Sequence, residues 1–178
     1  MNFDESIVTD APPSGAFLYL SNLTNAPSWD PNITQVEQRT PGVVGLGTEF
    51  RVTMRLMGVH TTLDYHVEAY EPDRRVLFLG RSFATKVTDC VLVTRFRGGS
   101  RIRWTSDIHL FAPLALVDPI FGMLFRPTMT KALARLRESL NRLAPTMGPR
   151  VVMPEPVPIR PIPPAARDIE AYRAARHG

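Results

Sequence analysis

The sequence predicts an α+β domain: a seven-stranded antiparallel sheet, one long C-terminal helix, and two short helices between the first and second strands. Three observations carry this. Six strand-like segments follow one another at hairpin spacing from Asn32 to Leu110. One long stretch with helical periodicity, Asp118 to Leu143, comes after the last of them, and shorter helical patterns occur only behind the first strand. Strands joined by turns rather than by helical crossovers pair antiparallel, and such a sheet has one dry face that something must cover.

Residues 2 to 9 alternate loosely around Phe3, Ile7 and Val8 and form the first strand, which Asp10-Ala-Pro-Pro13 ends. Pro12 or Pro13 opens a short helix whose buried side is Phe17, Leu18, Leu20 and Leu23. Pro27 and Pro31 allow at most one more helical turn, with Trp29 packed under the corner, before an extended segment from Asn32 to Thr40. Pro41 to Gly47 is a glycine-spaced connector; it has no following lysine and opens no helix, so it is not a phosphate loop. From Gly47 to Leu56, Phe50, Val52, Met54 and Leu56 alternate with Glu49, Arg51, Thr53 and Arg55, giving one dry and one wet face. After Gly58 the return strand sets Val59, Leu63, Tyr65, Val67 and Ala69 against His60, Asp64, His66 and Glu68, and Glu71-Pro-Asp73 turns it. Arg75 to Phe83, centred on Leu77, Phe78 and Leu79, and Lys86 to Phe96 are strands whose faces stay ambiguous. Gly98-Gly99 turns the chain into a last strand in which Ile102, Trp104, Ser106, Ile108 and Leu110 alternate with Arg103, Thr105, Asp107 and His109.

The long helix follows. Phe121, Leu124, Phe125, Met129, Leu133, Leu136, Leu140 and Leu143 step by threes and fours along one stripe, with the arginines mostly opposite. Asp118-Pro119 suits an N-cap and first turn. Pro127 removes a backbone bond, so a kink or two helical pieces are expected at Phe125 to Pro127. Eight prolines between Pro145 and Pro164 then mark an extended tail, 145–178, outside the domain of residues 1–144, with a short charged helix from Ala165 to about Arg176.

At 178 residues, 44% hydrophobic and 21% charged, the chain suits one globular domain and a tail, and no apolar run is long enough for a membrane span. The acidic start MNFDESIVTD lacks the features of a signal peptide, and one cysteine, Cys90, gives no disulfide framework, so a cytoplasmic protein is expected. The net charge of +4 is scattered over strands and helix without a nucleic-acid-binding motif; a solvated basic surface is expected rather than nucleic-acid binding.

The order of elements, with Asp10-Ala-Pro-Pro13, Asn25-Ala-Pro-Ser-Trp29, Gly45-Leu-Gly-Thr-Glu-Phe50, Tyr65-His-Val67 running into Tyr70-Glu-Pro72, and Thr105 to Leu110, resembles the START-related, polyketide cyclase-like superfamily of helix-grip proteins, also called SRPBCC. The resemblance covers residues 2 to 143. It implies a curved sheet gripping the long helix around a cavity for an apolar molecule such as a lipid, polyketide, sterol or quinone. The expected ligand-binding residues are then Phe50, Val52, Met54, Leu63, Tyr65, Val67, Phe78, Trp104, Ser106 and Ile108 on the sheet and Phe121, Leu124, Phe125 and Met129 on the helix. Tyr65, Ser106 and Trp104 supply the polar handles. Without the resemblance, the same residues would serve equally well as a solid core.

His60, Asp64 and His66 share a strand face and could hold a metal with His109, but they alternate with the apolar set and are expected to face water, so no metal and no cofactor are expected. No nucleophile elbow or paired catalytic carboxylates stand out. Binding, for carriage or sensing, is therefore the primary expectation. An aromatase, cyclase or dehydratase using Tyr65, Arg81, Arg103 or His109 as acid or base is the alternative. An interaction module acting through the basic helix face and the tail, with Ile159, Ile162, Ile169 and Tyr172 as anchors, is a third reading. A homodimer and transient contact with a membrane surface are both compatible with these readings. Cys90, in a valine-rich strand, reads as a buried small hydrophobe rather than a nucleophile.

Overall fold

The computed structural model describes residues 2–56, 59–111 and 118–147, and within them all side chains except those of residues 56, 59 and 118–126. The chain runs β1 (Asn2–Thr9), α1 (Pro13–Ser21), a 3-10 helix (Leu23–Ser28), β2 (Ile33–Gln38), β3 (Glu49–Leu56), β4 (Val59–Glu71), β5 (Arg75–Arg81), β6 (Thr85–Phe96), β7 (Gly99–Leu110) and α2 (Asp118–Leu143). The strands form one seven-stranded sheet in the order β1-β7-β6-β5-β4-β3-β2, every neighbouring pair antiparallel. This is the predicted architecture.

The sheet curls. Seven strands at about 4.8 Å spacing would span roughly 29 Å if flat. Yet Phe3 of one edge strand, Trp29 beside the other edge, and Met129, Leu133 and Leu136 of α2 belong to a single buried cluster. Trp29, just before β2, meets Trp104 of β7 edge to face, with ring centroids 5.4 Å apart. Those rings can touch only across a concave face. A bulge at Glu68 adds to the bend: Val67 pairs with Phe78, but beyond the extra residue Tyr70 pairs with Val76, so the inward position passes to Tyr70, which packs edge to face on Phe17 of α1. Simple alternation through Ala69 therefore fails at the bulge.

Local chemistry explains the connections. Asn22 accepts bonds from the Thr24 backbone N–H and hydroxyl, starting the 3-10 helix that Pro27 continues without an N–H of its own. The β6–β7 turn consists of Arg97 and Gly98, both at positive φ, and Gly99 already belongs to β7; the turn sits one residue earlier than the sequence suggested. Gly47, at φ 82°, lets its N–H reach the Val67 carbonyl at 2.9 Å and closes the β2–β3 connector onto β4.

Helix α2 remains one helix through Pro127, not two pieces. Ala132, Leu133, Leu136 and Leu140 are buried against the sheet, and at the C-terminal end the Asn141 side-chain Oδ1 accepts from the Thr9 hydroxyl (2.7 Å) and the Asp10 backbone N–H (2.9 Å). This fixes the helix to the end of β1 over the half of the sheet remote from its own N-terminus. Met147 packs at Gly15 of α1; the rest of the tail lies outside the described residues, as do its anchors and terminal helix.

Leu136 is fully buried, so Leu136→Ala should cost about 2–5 kcal/mol. Urea denaturation should show this as a lower midpoint at unchanged slope.

Candidate functional site

At the other end of the concave face the described residues leave space between them. A cavity of about 530 Å³ lies there. Its walls are Leu23, Ala26, Trp29 and Ile33 from the segment leading into β2, Val52 and Met54 of β3, Leu63 and Tyr65 of β4, Val87 of β6, Trp104, Ile108 and Leu110 of β7, and Met129 of α2. The lining also includes Asn32, His60, Thr61, Phe83, Ala84 and Thr85, of which His60 and Phe83 are exposed and mark the open side. Phe83, in the β5–β6 turn, is 95% exposed there.

Of the residues expected to contact a ligand, Val52, Met54, Leu63, Tyr65, Trp104, Ser106, Ile108 and Met129 line this cavity together. Phe50, Val67 and Phe78 are fully buried in the core and are not part of the lining. Phe121, Leu124 and Phe125 lie on α2, but their side chains are outside those described.

Two acids in the lining were missed by sequence reasoning, Asp89 and Asp30, and Asp89 is the more deeply networked. It is 8% exposed and lines the cavity from β6. Counting from the mouth pair Thr85↔Leu110, Asp89↔Ser106 is four residues down the strand, about 13 Å deep at 3.3 Å per residue. The predicted handles converge on it. Tyr65 donates its hydroxyl proton to Oδ2 at 3.2 Å, the Trp104 indole N–H donates to Oδ1 at 3.3 Å, and the nearby Ser106 hydroxyl adds to the stabilisation of the charged carboxyl. A signal was present in the sequence: Val87, Val91 and Val93 are inward on β6, and Asp89 interrupts that period-two apolar row.

Gly80 makes room for this group. It pairs with Tyr65 across β4 and β5, and a Cβ there would stand 2.7 Å from the phenol ring, so the absence of a side chain lets the ring lie across β5 toward Asp89.

A second buried acid, Asp30, lines the same cavity from the corner after Trp29. Its Oδ1 accepts from the Asn32 backbone N–H at 2.9 Å and side-chain amide at 2.8 Å. Burial pushes the pKa of both carboxyls above the usual carboxylate value, for Asp89 against the pull of its bonds from Ser106, Trp104 and Tyr65, and for Asp30 against Asn32 and the positive Arg135. The Tyr65 phenol is pushed well above its ordinary value, first by burial and then by the Asp89 charge.

The histidine-bearing face of β4 turns away from the cavity along most of its length. Asp64 pairs with Arg51 (2.9 Å), His66 approaches Glu68 (3.5 Å), and His109 bonds Asp107 (3.1 Å) on the outer face. His60 alone reaches the mouth. Among the described residues no three His, Cys, Asp or Glu side chains converge on a common point. Arg103 pairs with Asp4 outside the sheet, and Arg81 is exposed. Cys90 is half-buried on the outer face, with its thiol pKa raised by burial.

Asp89 has a pH signature with a definite sign. A folded-state pKa above the unfolded one means that ionisation favours unfolding, so the stability tied to the protonated form is complete below the unfolded value near 3.8 and is lost as pH rises through the raised one. Thermal denaturation of the wild type and Asp89→Asn should therefore show the difference in Tm moving in favour of the variant as pH increases from about 4 toward 7.

The fold has counterparts among solved structures at low sequence identity. A protein of Thermus thermophilus superposes with a TM-score of 0.70 at 16% identity, covering 81% of this chain and 99% of that one. The Zhui aromatase/cyclase of Streptomyces sp. R1128 gives 0.69 at 11% identity (80% and 94% covered). A START superfamily protein of Mycobacterium smegmatis gives 0.65 at 12% (78% and 98% covered). No curated protein sequence matches the chain. The family model described as polyketide cyclase / dehydrase and lipid transport matches residues 1–148, which takes in every described element from β1 to α2, and the chain belongs to that family.

Proposed function

We propose that the chain binds a hydrophobic small molecule in the cavity between sheet and helix, for carriage or sensing. One observation carries this: a space of about 530 Å³ persists inside the fold, walled by apolar side chains and holding one hydrogen-bonded polar station at depth. Space of that size falls within the range of small-molecule sites, and an apolar wall with a few convergent polar groups orients a ligand without demanding much of its shape. Burying a polar carboxyl there costs stability unless a partner returns it, which a packed core would have no reason to accept. The exposed Phe83 at the mouth gives an apolar molecule a surface to meet before entry.

Catalysis is the second reading, and Asp89 is the observation that favours it. A carboxyl with a raised pKa inside an apolar pocket, bonded to a tyrosine, suits general acid–base work on a polyketide-like substrate. Arg81, Arg103 and His109 sit on the outer face, so that reading runs through Asp89 and Tyr65.

Native mass spectrometry with organic extraction of the purified protein should reveal a co-purifying hydrophobic molecule. Ile108→Trp, which places an indole in the cavity, should abolish its retention while circular dichroism stays that of the wild type. An empty wild-type protein that also takes up no lipid, sterol or quinone from a panel would defeat the binding reading. The catalytic reading requires Asp89→Asn to lower kcat by about 10²-fold or more on a substrate that the wild type turns over.

A further inference from the structure

The polar groups of the cavity are wired in one sense. The Trp104 indole N–H and the Asn32 backbone N–H can only donate, and they and the Asn32 side-chain NH2 donate to carboxylate oxygens. The Tyr65 hydroxyl donates to Asp89 as well. For Asp89 both oxygens accept, the role of the ionised form, whereas for Asp30 both bonds fall on Oδ1. Yet these two acids are 5% and 8% exposed in an apolar cavity, and among the described lining residues there is no lysine or arginine. His60, at the mouth, is the one basic side chain in that lining, and Arg135, which acts on Asp30, is exposed on α2 and lies outside it. Asp30 Oδ2 accepts no hydrogen bond from any described residue although the side chain is buried against the cavity. A buried carboxylate with no positive charge inside its cavity is costly, and the cost falls when a cation enters its space.

We propose that the cavity selects an amphipathic molecule with a cationic amine head, whose ammonium sits between Asp30 and Asp89 while its hydrocarbon part lies along Val52, Leu63 and Ile108. The assignment rests on the ligand-binding reading above and names the head group. It disfavours molecules ending in carboxylate or phosphate, which two buried acids would repel. The charges governing its pH dependence are Asp30, Asp89, Tyr65, His60 and Arg135. With both carboxyl values raised by burial, the attraction for an amine grows as the acids ionise.

Trp29 and Trp104 are the two tryptophans of the chain and both line the cavity, so intrinsic fluorescence reads occupancy directly. The full chain would be titrated with decylamine, decanol and decanoate below their aggregation limits. Decylamine should bind about tenfold or more tighter than decanol, with decanoate weakest. The amine-to-alcohol ratio should rise between about pH 4 and pH 8, and Asp30→Asn or Asp89→Asn should bring it toward one. The pH series needs only the wild type, so it tests the role of the acids even if either variant fails to fold. Decanol or decanoate binding as tightly as decylamine would overturn the head-group assignment and leave the cavity reading standing. Failure of all three to bind would remove that reading and the assignment with it.

Discussion

The structure depends on one constraint: the dry concave face of a curled seven-stranded sheet must be covered by the one long helix that follows it. Where α2 is held down, by Leu133, Leu136, Leu140 and the Asn141 bonds to the end of β1, the core is close-packed. Toward the mouth the lining residues face one another across open space. Apolar burial stabilises roughly in proportion to area, so the packed half carries most of the fold's stability.

Two features of the open half would weaken a protein whose only task was to fold. Gly80 gives up strand propensity and packing at a central position so that the Tyr65 ring can cross over it. Asp89 is buried where its neighbours on β6 are valines, and its three donors offset only part of the desolvation cost, as the upward pKa shift indicates. Local rules broken together at one place are where function is usually found. Tyr65, Trp104 and Ser106 are each ordinary as core residues; pointed at a common carboxyl they form a polar station inside a greasy wall.

The strand faces that could be read were those where alternation is unbroken by bulge or ambiguity. On β3 and β7 a period of two separates wet from dry, and Val52, Met54, Trp104, Ser106 and Ile108 all line the cavity. β4 was legible as far as Val67 and then lost parity at Glu68, because a bulge adds a residue without leaving a reliable trace in composition. β5 and β6 are rich in apolar residues on both faces, so the row that includes Asp89 could not be told from its opposite. Phe50, Val67 and Phe78 face the same interior yet lie in its packed part, a matter of depth that no periodicity encodes. Asp30 lies between a tryptophan and a proline in a corner where no periodicity marks a residue as buried.

By itself the sequence determined the element order, the antiparallel sheet, the extent of α2 and the outward direction of His66, Asp64, Arg103 and His109, because each follows from local periodicity and turn chemistry acting over a few residues. It also contained the family likeness that runs from β1 to α2. Only the tertiary structure decided that a cavity exists, where it begins along the strands, and that two acids from segments 59 positions apart (89 − 30) share it. Those outcomes depend on the curl of the sheet and on where the helix is clamped. They are sums over many distant contacts, and no single stretch of chain carries them.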